Sequence, residues 1–245
     1  MIEAVLFDLG DTLYRFESND PRVYFDRGVA LAHAFLRDGG MAVPDLAEYA
    51  RRVRRRMVLA FVWSRVRRRE IRPVEVLQRI HRRMGIEIDL ATTDLLARRY
   101  FEPMRVSGRL DPDAPSVLAE LSRAGCRMGI ISNTFTPPSA NDDQLRNDGI
   151  LDYFPVRIYS CQTGYMKPHP AIFRAALEAL DVPAGRTVYV GDKPRLDVAG
   201  ARRVGMITVL KLGDRSPARI RPRPDHAITR LTELPAILQN HVAKA

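Results

Sequence analysis

The stretch Ala4-Val5-Leu6-Phe7-Asp8-Leu9-Gly10-Asp11-Thr12-Leu13 decides how the rest of this chain is read. Four apolar residues in a row do not alternate, so neither face of the segment is meant for water. That is the pattern of a strand buried on both sides in a parallel sheet. The run ends on a carboxylate, Asp8. In an open parallel sheet, ligands bind beyond the carboxyl ends of the strands. A charged residue at that point is therefore a candidate for chemistry.

Similar runs recur much later: Met128 to Ile131, Val156 to Tyr159, Thr187 to Val190 and Met206 to Leu210, with His226-Ala227-Ile228 as a weaker sixth. Helical patterns separate them. Pro115 to Ala124 carries Val117, Leu118 and Leu121 on one face and stops at Gly125. Pro170 to Leu180 opens on proline, and Asp197 to Val204 stops at Gly205. Strands and helices alternating at this spacing predict an α/β fold with a parallel sheet. The stretch from about residue 20 to 105 has helical periodicity and few strand signals. Leu31, Ala34 and Phe35 are read as one apolar stripe, and Leu77 and Ile80 as part of another. This stretch is expected to be an all-helical insertion, 15–105, in a core made of 1–14 and 106–245.

The chain has 245 residues and a formal net charge of +10. Its 46% hydrophobic content is that of a globular protein. No apolar run approaches the roughly 18 residues of a membrane span, so no membrane partner is expected. The first residues show no secretory leader, and two cysteines cannot build a disulfide framework, so a reduced cytoplasm is the expected setting. Residues 15–105 hold 20 Lys+Arg against 12 Asp+Glu, a net of +8, and the remainder holds 19 against 17, a net of +2. The basic character is therefore local. Arg51, Arg52, Arg54, Arg55 and Arg56, then Arg65, Arg67, Arg68, Arg69 and Arg72, point in several directions on a helix and lack aromatic interleaving beyond Phe61 and Trp63. They read as a solvated face, with aid to an anionic substrate as the second reading, and not as a nucleic-acid site.

Polar residues cluster at the predicted strand ends. Besides Asp8 there are Ser132-Asn133 after the second strand and Gly191-Asp192 through Asp197 after the fourth, and Tyr165-Met166-Lys167-Pro168 lies between the third and fourth. Carboxylates at Asp8 and Asp192 suit a hard cation such as Mg²⁺, and the cation with Lys167 would neutralise a phosphate. A carboxylate can then act as a nucleophile.

The same residues carry a resemblance. The run from Leu6 to Leu13 resembles the first motif of the haloacid dehalogenase-like hydrolases. Ile131-Ser132-Asn133 is similar to the second, Gly164 to Phe173 to the third, and Val190-Gly191-Asp192 through Ala201 to the fourth. All stand in order, with the helical insert after the first. The resemblance implies a Rossmann-like core with a helical cap, and hydrolysis of a small anionic, phosphorylated substrate with Mg²⁺ as cofactor. It implies that Asp8 is the nucleophile, that Ser132 binds the phosphoryl group and that Lys167 pairs with both. Asn133 would hold the loop or the phosphate. Asp8, the Gly10 carbonyl, Asp192 and Asp197 would serve the metal, Asp197 through water or by orienting the site.

Gly10 departs from the pattern. The family usually has a second Asp there, which protonates the leaving group and then activates water. Here Asp11, one step further on, could take that role, or the substrate could need little help. Two other readings stay open. A metal-independent dehalogenase would use Asp8 to displace halide, against which Gly191-Asp192 speaks. A scaffold of little turnover with a binding role is favoured by Gly10. Oligomeric state is not legible.

Overall fold

The computed structural model describes residues 2–18, 22–67, 70–213, 215–216 and 220–242. The strands are β1 (Ala4–Phe7), β2 (Tyr14–Arg15), β3 (Arg109–Leu110), β4 (Arg127–Ser132), β5 (Val156–Tyr159), β6 (Thr187–Gly191), β7 (Ile207–Lys211) and β8 (His226–Ile228). The helices are α1 (Arg22–Asp38), α2 (Leu46–Arg67), α3 (Pro73–Arg82), α4 (Leu90–Ser107), α5 (Ala114–Arg123), α6 (Pro138–Asn147), α7 (Ser160–Thr163), α8 (Pro170–Leu180), α9 (Ala199–Arg203) and α10 (Leu234–Val242).

The main sheet has the order β5-β4-β1-β6-β7-β8, and every neighbouring pair is parallel. β1 is central and buried at every position, as its unbroken apolar run requires. The chain leaves β1 for β4 and β5 on one side, then returns to β6, β7 and β8 on the other. Loops after β1, β4 and β6 therefore diverge around one point, which opens a crevice at their carboxyl ends. The weaker sixth run is a strand after all, paired along β7 at the sheet edge.

The chain forms two compact units. The α/β unit comprises Met1–Arg15, Arg109–Asn133 and Leu145–Ala245, and the helical unit Phe16–Gly108 with Thr134–Gln144. Where the chain leaves and re-enters the α/β unit, β2 pairs antiparallel with β3, Tyr14 opposite Leu110. In this unit α8 buries Ile172, Phe173, Ala176 and Leu180 on one stripe, and His169 Nδ1 caps it by accepting from the Ala171 N–H at 3.2 Å.

The helical unit has its own core, centred on Val29, Leu36, Tyr49, Val53, Met57, Leu77, Leu96 and Tyr100. α1 and α4 pack so closely that a Cβ on Gly28 would stand 2.0 Å from the Tyr100 carbonyl oxygen. Two sequence expectations change here. The buried stripe of α1 is Val29, Ala32 and Leu36, whereas Leu31 is 39% exposed and Ala34 and Phe35 are half-buried. Three adjacent apolar positions fit either of two neighbouring stripes, and packing on α4 selects between them. Residues 134–144, expected in the core, belong to the helical unit. Phe135 packs edge-on against Phe61 with ring centroids 5.1 Å apart, and Asp143 pairs with Arg98.

On α2 the buried face is Tyr49, Val53 and Met57, which leaves Arg51, Arg52, Arg54 and Arg55 exposed. Arg52 pairs with Glu48, and Arg54 reaches Asp26 at 2.7 Å. Arg68 and Arg69 lie outside the described residues, as do the side chains of Arg65 and Arg67. No helix among the described residues is long and apolar enough to cross a membrane.

Candidate active site

The site lies wholly within the α/β unit. Asp8 follows β1 directly, and its N–H donates to the Val190 carbonyl at 2.9 Å, which continues the β1–β6 pairing by one residue. That bond fixes the direction in which the carboxylate leaves the sheet. The loop then turns sharply: Leu13 and Tyr14 donate to the Leu9 carbonyl, and Asp11 donates to Tyr14. Asp11 adopts a left-handed backbone, φ 59°, a conformation that the short polar side chains tolerate best among non-glycine residues.

Lys167 is the hub. It is 3% exposed. Its ammonium stands 2.8 Å from Asp8 Oδ1 and 2.7 Å from Asp197 Oδ1, and donates to the Tyr189 hydroxyl at 2.9 Å. Those acceptors satisfy a buried ammonium that would otherwise be very costly. Burial works against the charge of Lys167, but Asp197 and Asp8 outweigh it and hold its pKa above the usual lysine value. Burial is also the largest influence on Asp8, pushing its pKa up to about 7 while Lys167 pulls the other way. The two groups share one strongly coupled charge pair.

Asn133 explains how Lys167 is aimed. Its side-chain amide donates to the Lys167 carbonyl at 3.1 Å, and its carbonyl accepts from the Lys167 N–H at 2.7 Å. The loop after β4 is thereby stapled to the loop that carries the lysine. Of the two roles expected for Asn133, the geometry supplies the loop-holding one. Ser132, at the end of β4, is 5% exposed. Among the described residues nothing bonds its hydroxyl, which leaves it available to a ligand.

Asp197 is 1% exposed and saturated. Oδ1 receives Lys167 and the Tyr189 hydroxyl, and Oδ2 receives the N–H groups of Asp192 at 3.1 Å and Lys193 at 2.7 Å. It lies within a single turn of π-helix, Pro194–Val198, that folds the chain back on itself. Gly191 makes room for it, because a Cβ there would lie 2.4 Å from Asp197 Cγ. Asp197 thus orients the loop that carries Asp192.

Asp192 presents a different picture. Its Oδ1 is 3.2 Å from the Lys193 ammonium and its Oδ2 is 3.7 Å from Arg215. Burial raises its pKa, and Lys193 opposes that. Lys193 also lies 3.7 Å from Asp11 Oδ2. Below the loop after β1, the Lys211 ammonium donates to the Thr12 carbonyl at 2.8 Å and to Asp111 at 2.5 Å.

The donor chemistry fits a divalent cation. Asp8, Asp192 and Asp197 bring carboxylate oxygens within 4.8 Å of one another, all buried. Oxygen ligands at this density are what Mg²⁺ requires. Asp8 and Asp192 are the carboxylates with capacity for it, since Asp197 is filled by its own hydrogen bonds.

Sequence reasoning missed Tyr189, Lys193, Lys211, Asp111 and Arg215. One signal was present. Lysine occurs at only four positions, Lys167, Lys193, Lys211 and Lys244, in a chain with 39 Lys+Arg. The first three all stand at this site.

A family model described as haloacid dehalogenase-like hydrolase matches residues 2–205. A glyceraldehyde 3-phosphate phosphatase of Methanopyrus kandleri is 27% identical over 96% of both chains. One of the same name from Pyrococcus abyssi is 42% identical, but over only 40% of each chain. The chain likewise spans less than two thirds of the length of further relatives at 33–34% identity. Among solved structures, a 2-haloacid dehalogenase from Pseudomonas syringae covers 98% of this chain and 99% of its own, with a TM-score of 0.67 and 25% identity.

Proposed function

The chain belongs to the haloacid dehalogenase-like hydrolases, and on that premise we propose that it is a Mg²⁺-dependent phosphatase of small phosphomonoesters working through an aspartyl-phosphate on Asp8. The observation that carries this reading is the buried Lys167 ammonium shared between Asp8 at 2.8 Å and Asp197 at 2.7 Å, with Asp192 in the same cluster. The phosphatase names of the relatives support it, and their substrate, a three-carbon sugar phosphate, suits the small-ester class.

An attacking carboxylate and a phosphate repel each other, so cationic charge must come first. Lys167 supplies it from a fixed position. Asp8 then attacks phosphorus, the ester P–O bond breaks, and the electron pair leaves on the alcohol oxygen, which takes a proton from water. A second water attacks phosphorus, releasing inorganic phosphate and restoring the Asp8 carboxylate. Ser132 donates its hydroxyl to a phosphoryl oxygen. Asn133 and Asp197 keep Lys167 and the Asp192 loop in place throughout. Asp8, Asp192 and the Gly10 carbonyl would hold Mg²⁺, which would add further neutralisation of the phosphoryl charge. Because Gly10 brings no carboxyl group, alkyl esters suffer most and aryl esters least.

The test is a panel of phosphate esters assayed with Mg²⁺ and again under full chelation. Activity that disappears with the metal, together with a fluoroberyllate adduct on Asp8 seen by fluorine NMR, supports the reading. Aryl phosphate hydrolysis that survives chelation overturns it. A metal-independent dehalogenase is the second reading, favoured by the cations that face both oxygens of Asp192. Its signature is halide release from a 2-haloacid in chelator.

A further inference from the structure

We propose that Lys193 is a built-in competitor for the metal: its ammonium occupies Asp192 in the metal-free enzyme and moves to Asp11 when the divalent cation enters. The inference rests on the metal-dependent reading above and concerns what the cation must displace.

Asp192 is met by a cation on each side, Lys193 at Oδ1 and Arg215 at Oδ2. An incoming divalent ion needs one of these oxygens. Arg215 is poorly placed to leave. Its Nε donates to the Leu212 carbonyl at 2.9 Å and its Nη2 to the Lys211 carbonyl at 3.1 Å. Lys193 is different. Its side chain is 46% exposed, against 6% for Asp192, and its only ion-pair partners among the described residues are Asp192 and Asp11.

Asp11 is the natural receiver. It lies 3.7 Å away on the turn after β1, and its side chain is 33% exposed. Asp8 also attracts the Lys193 ammonium; with Asp192 and Asp8 both engaged by a divalent ion, the remaining attraction is toward Asp11, and the metal repels the ammonium in the same direction. The residue type matters. An arginine could grip Asp192 with two parallel N–H groups, whereas lysine is a point charge on a flexible stem. This chain uses arginine for nearly all its cations, yet has lysine here.

Isothermal titration of the full chain with MgCl₂ tests the proposal without an activity readout. Lys193→Met should tighten Mg²⁺ binding by about two- to fivefold, the range for one half-exposed ion pair. Lys193→Arg should weaken it. Asp11→Asn should weaken it in the parent protein, and the change should shrink to within about twofold in the Lys193→Met background, since the two residues act as a pair. Far-ultraviolet circular dichroism melts of each variant report folding. Unchanged or weaker Mg²⁺ binding by a folded Lys193→Met protein overturns the proposal and leaves the phosphatase reading standing. An Asp11→Asn effect of equal size in both backgrounds also overturns it. No heat from any variant at millimolar Mg²⁺ overturns both.

Discussion

In the α/β unit, Lys167 is 3% exposed and touches the carboxylates of Asp8 and Asp197. In the helical unit, Arg54 reaches Asp26 at 2.7 Å with side chains 61% and 70% exposed. Both are ion pairs of good length. The first is dry and enclosed by further partners, so each charge strongly shifts its neighbour. The second is wet and screened, and such pairs contribute about 0–1 kcal/mol. The two units carry the same net charge, +5 each, so the number of charges does not distinguish them. Surroundings, more than the number of charges, decide what a charge can do.

The comparison can be broken or sharpened by mutation. The largest effect belongs to the buried cluster. Asp8→Asn removes the proposed nucleophile, and phosphatase activity should fall by on the order of 10⁴-fold or more, to the background rate. Retained turnover in a steady-state assay would remove the cluster's claim to chemistry. Next is Gly10→Asp, which restores a carboxyl where the family usually has one. Turnover of an alkyl phosphate should rise by about 10²-fold, with much less change for an aryl phosphate.

The helical unit should respond in stability instead. Gly28→Ala forces a methyl group against the Tyr100 carbonyl and should cost about 1–3 kcal/mol in denaturant unfolding. A neutral result would mean that the α1–α4 crossing opens easily. Smaller still is a pH effect. In that unit His81 and Tyr49 form a buried pair, 2.8 Å apart. His81 Nδ1 faces the Leu77 carbonyl at 2.7 Å and so carries the hydrogen, leaving Nε2 to accept from the Tyr49 hydroxyl. Burial, the largest influence, lowers the His81 pKa below 6.5. The unfolded chain therefore binds the proton more readily, and stability should be full above pH 6.5 and decline as pH falls below it. His81→Asn should flatten that decline in denaturation curves recorded from pH 7.5 to 5. Least of all is Arg54→Ala, expected within about 0.5 kcal/mol of the parent. A larger loss would show that the arginine face does more than face water.

Much of this was legible before folding was considered. A strand buried on both faces has to be apolar, so β1, β4, β6 and β7 announced themselves, the half-buried edge strand β5 showed three apolar residues around Arg157, and the polar residues near the strand ends marked Asp8, Ser132, Lys167, Asp192 and Asp197. Periodicity was weaker where it was degenerate. Leu31, Ala34 and Phe35 made as good a stripe as Val29, Ala32 and Leu36, and only packing on α4 separated them. Phe135 gave no local sign that it would join the helical core.

The sequence by itself determined the parallel α/β core, the inserted helices and the identity of the strand-end carboxylates, because these follow from unbroken apolar runs, helical periodicity and the polar residues that end them. Tertiary structure alone decided that Asn133 staples the Lys167 loop, that Tyr189 and Asp197 share the Lys167 ammonium, and that Lys193 and Arg215 flank Asp192. Residues 22 to 34 positions apart meet in the first two contacts. Such distances close only when parallel strands bring their carboxyl ends to one rim, and no local pattern encodes which side chains will then be neighbours.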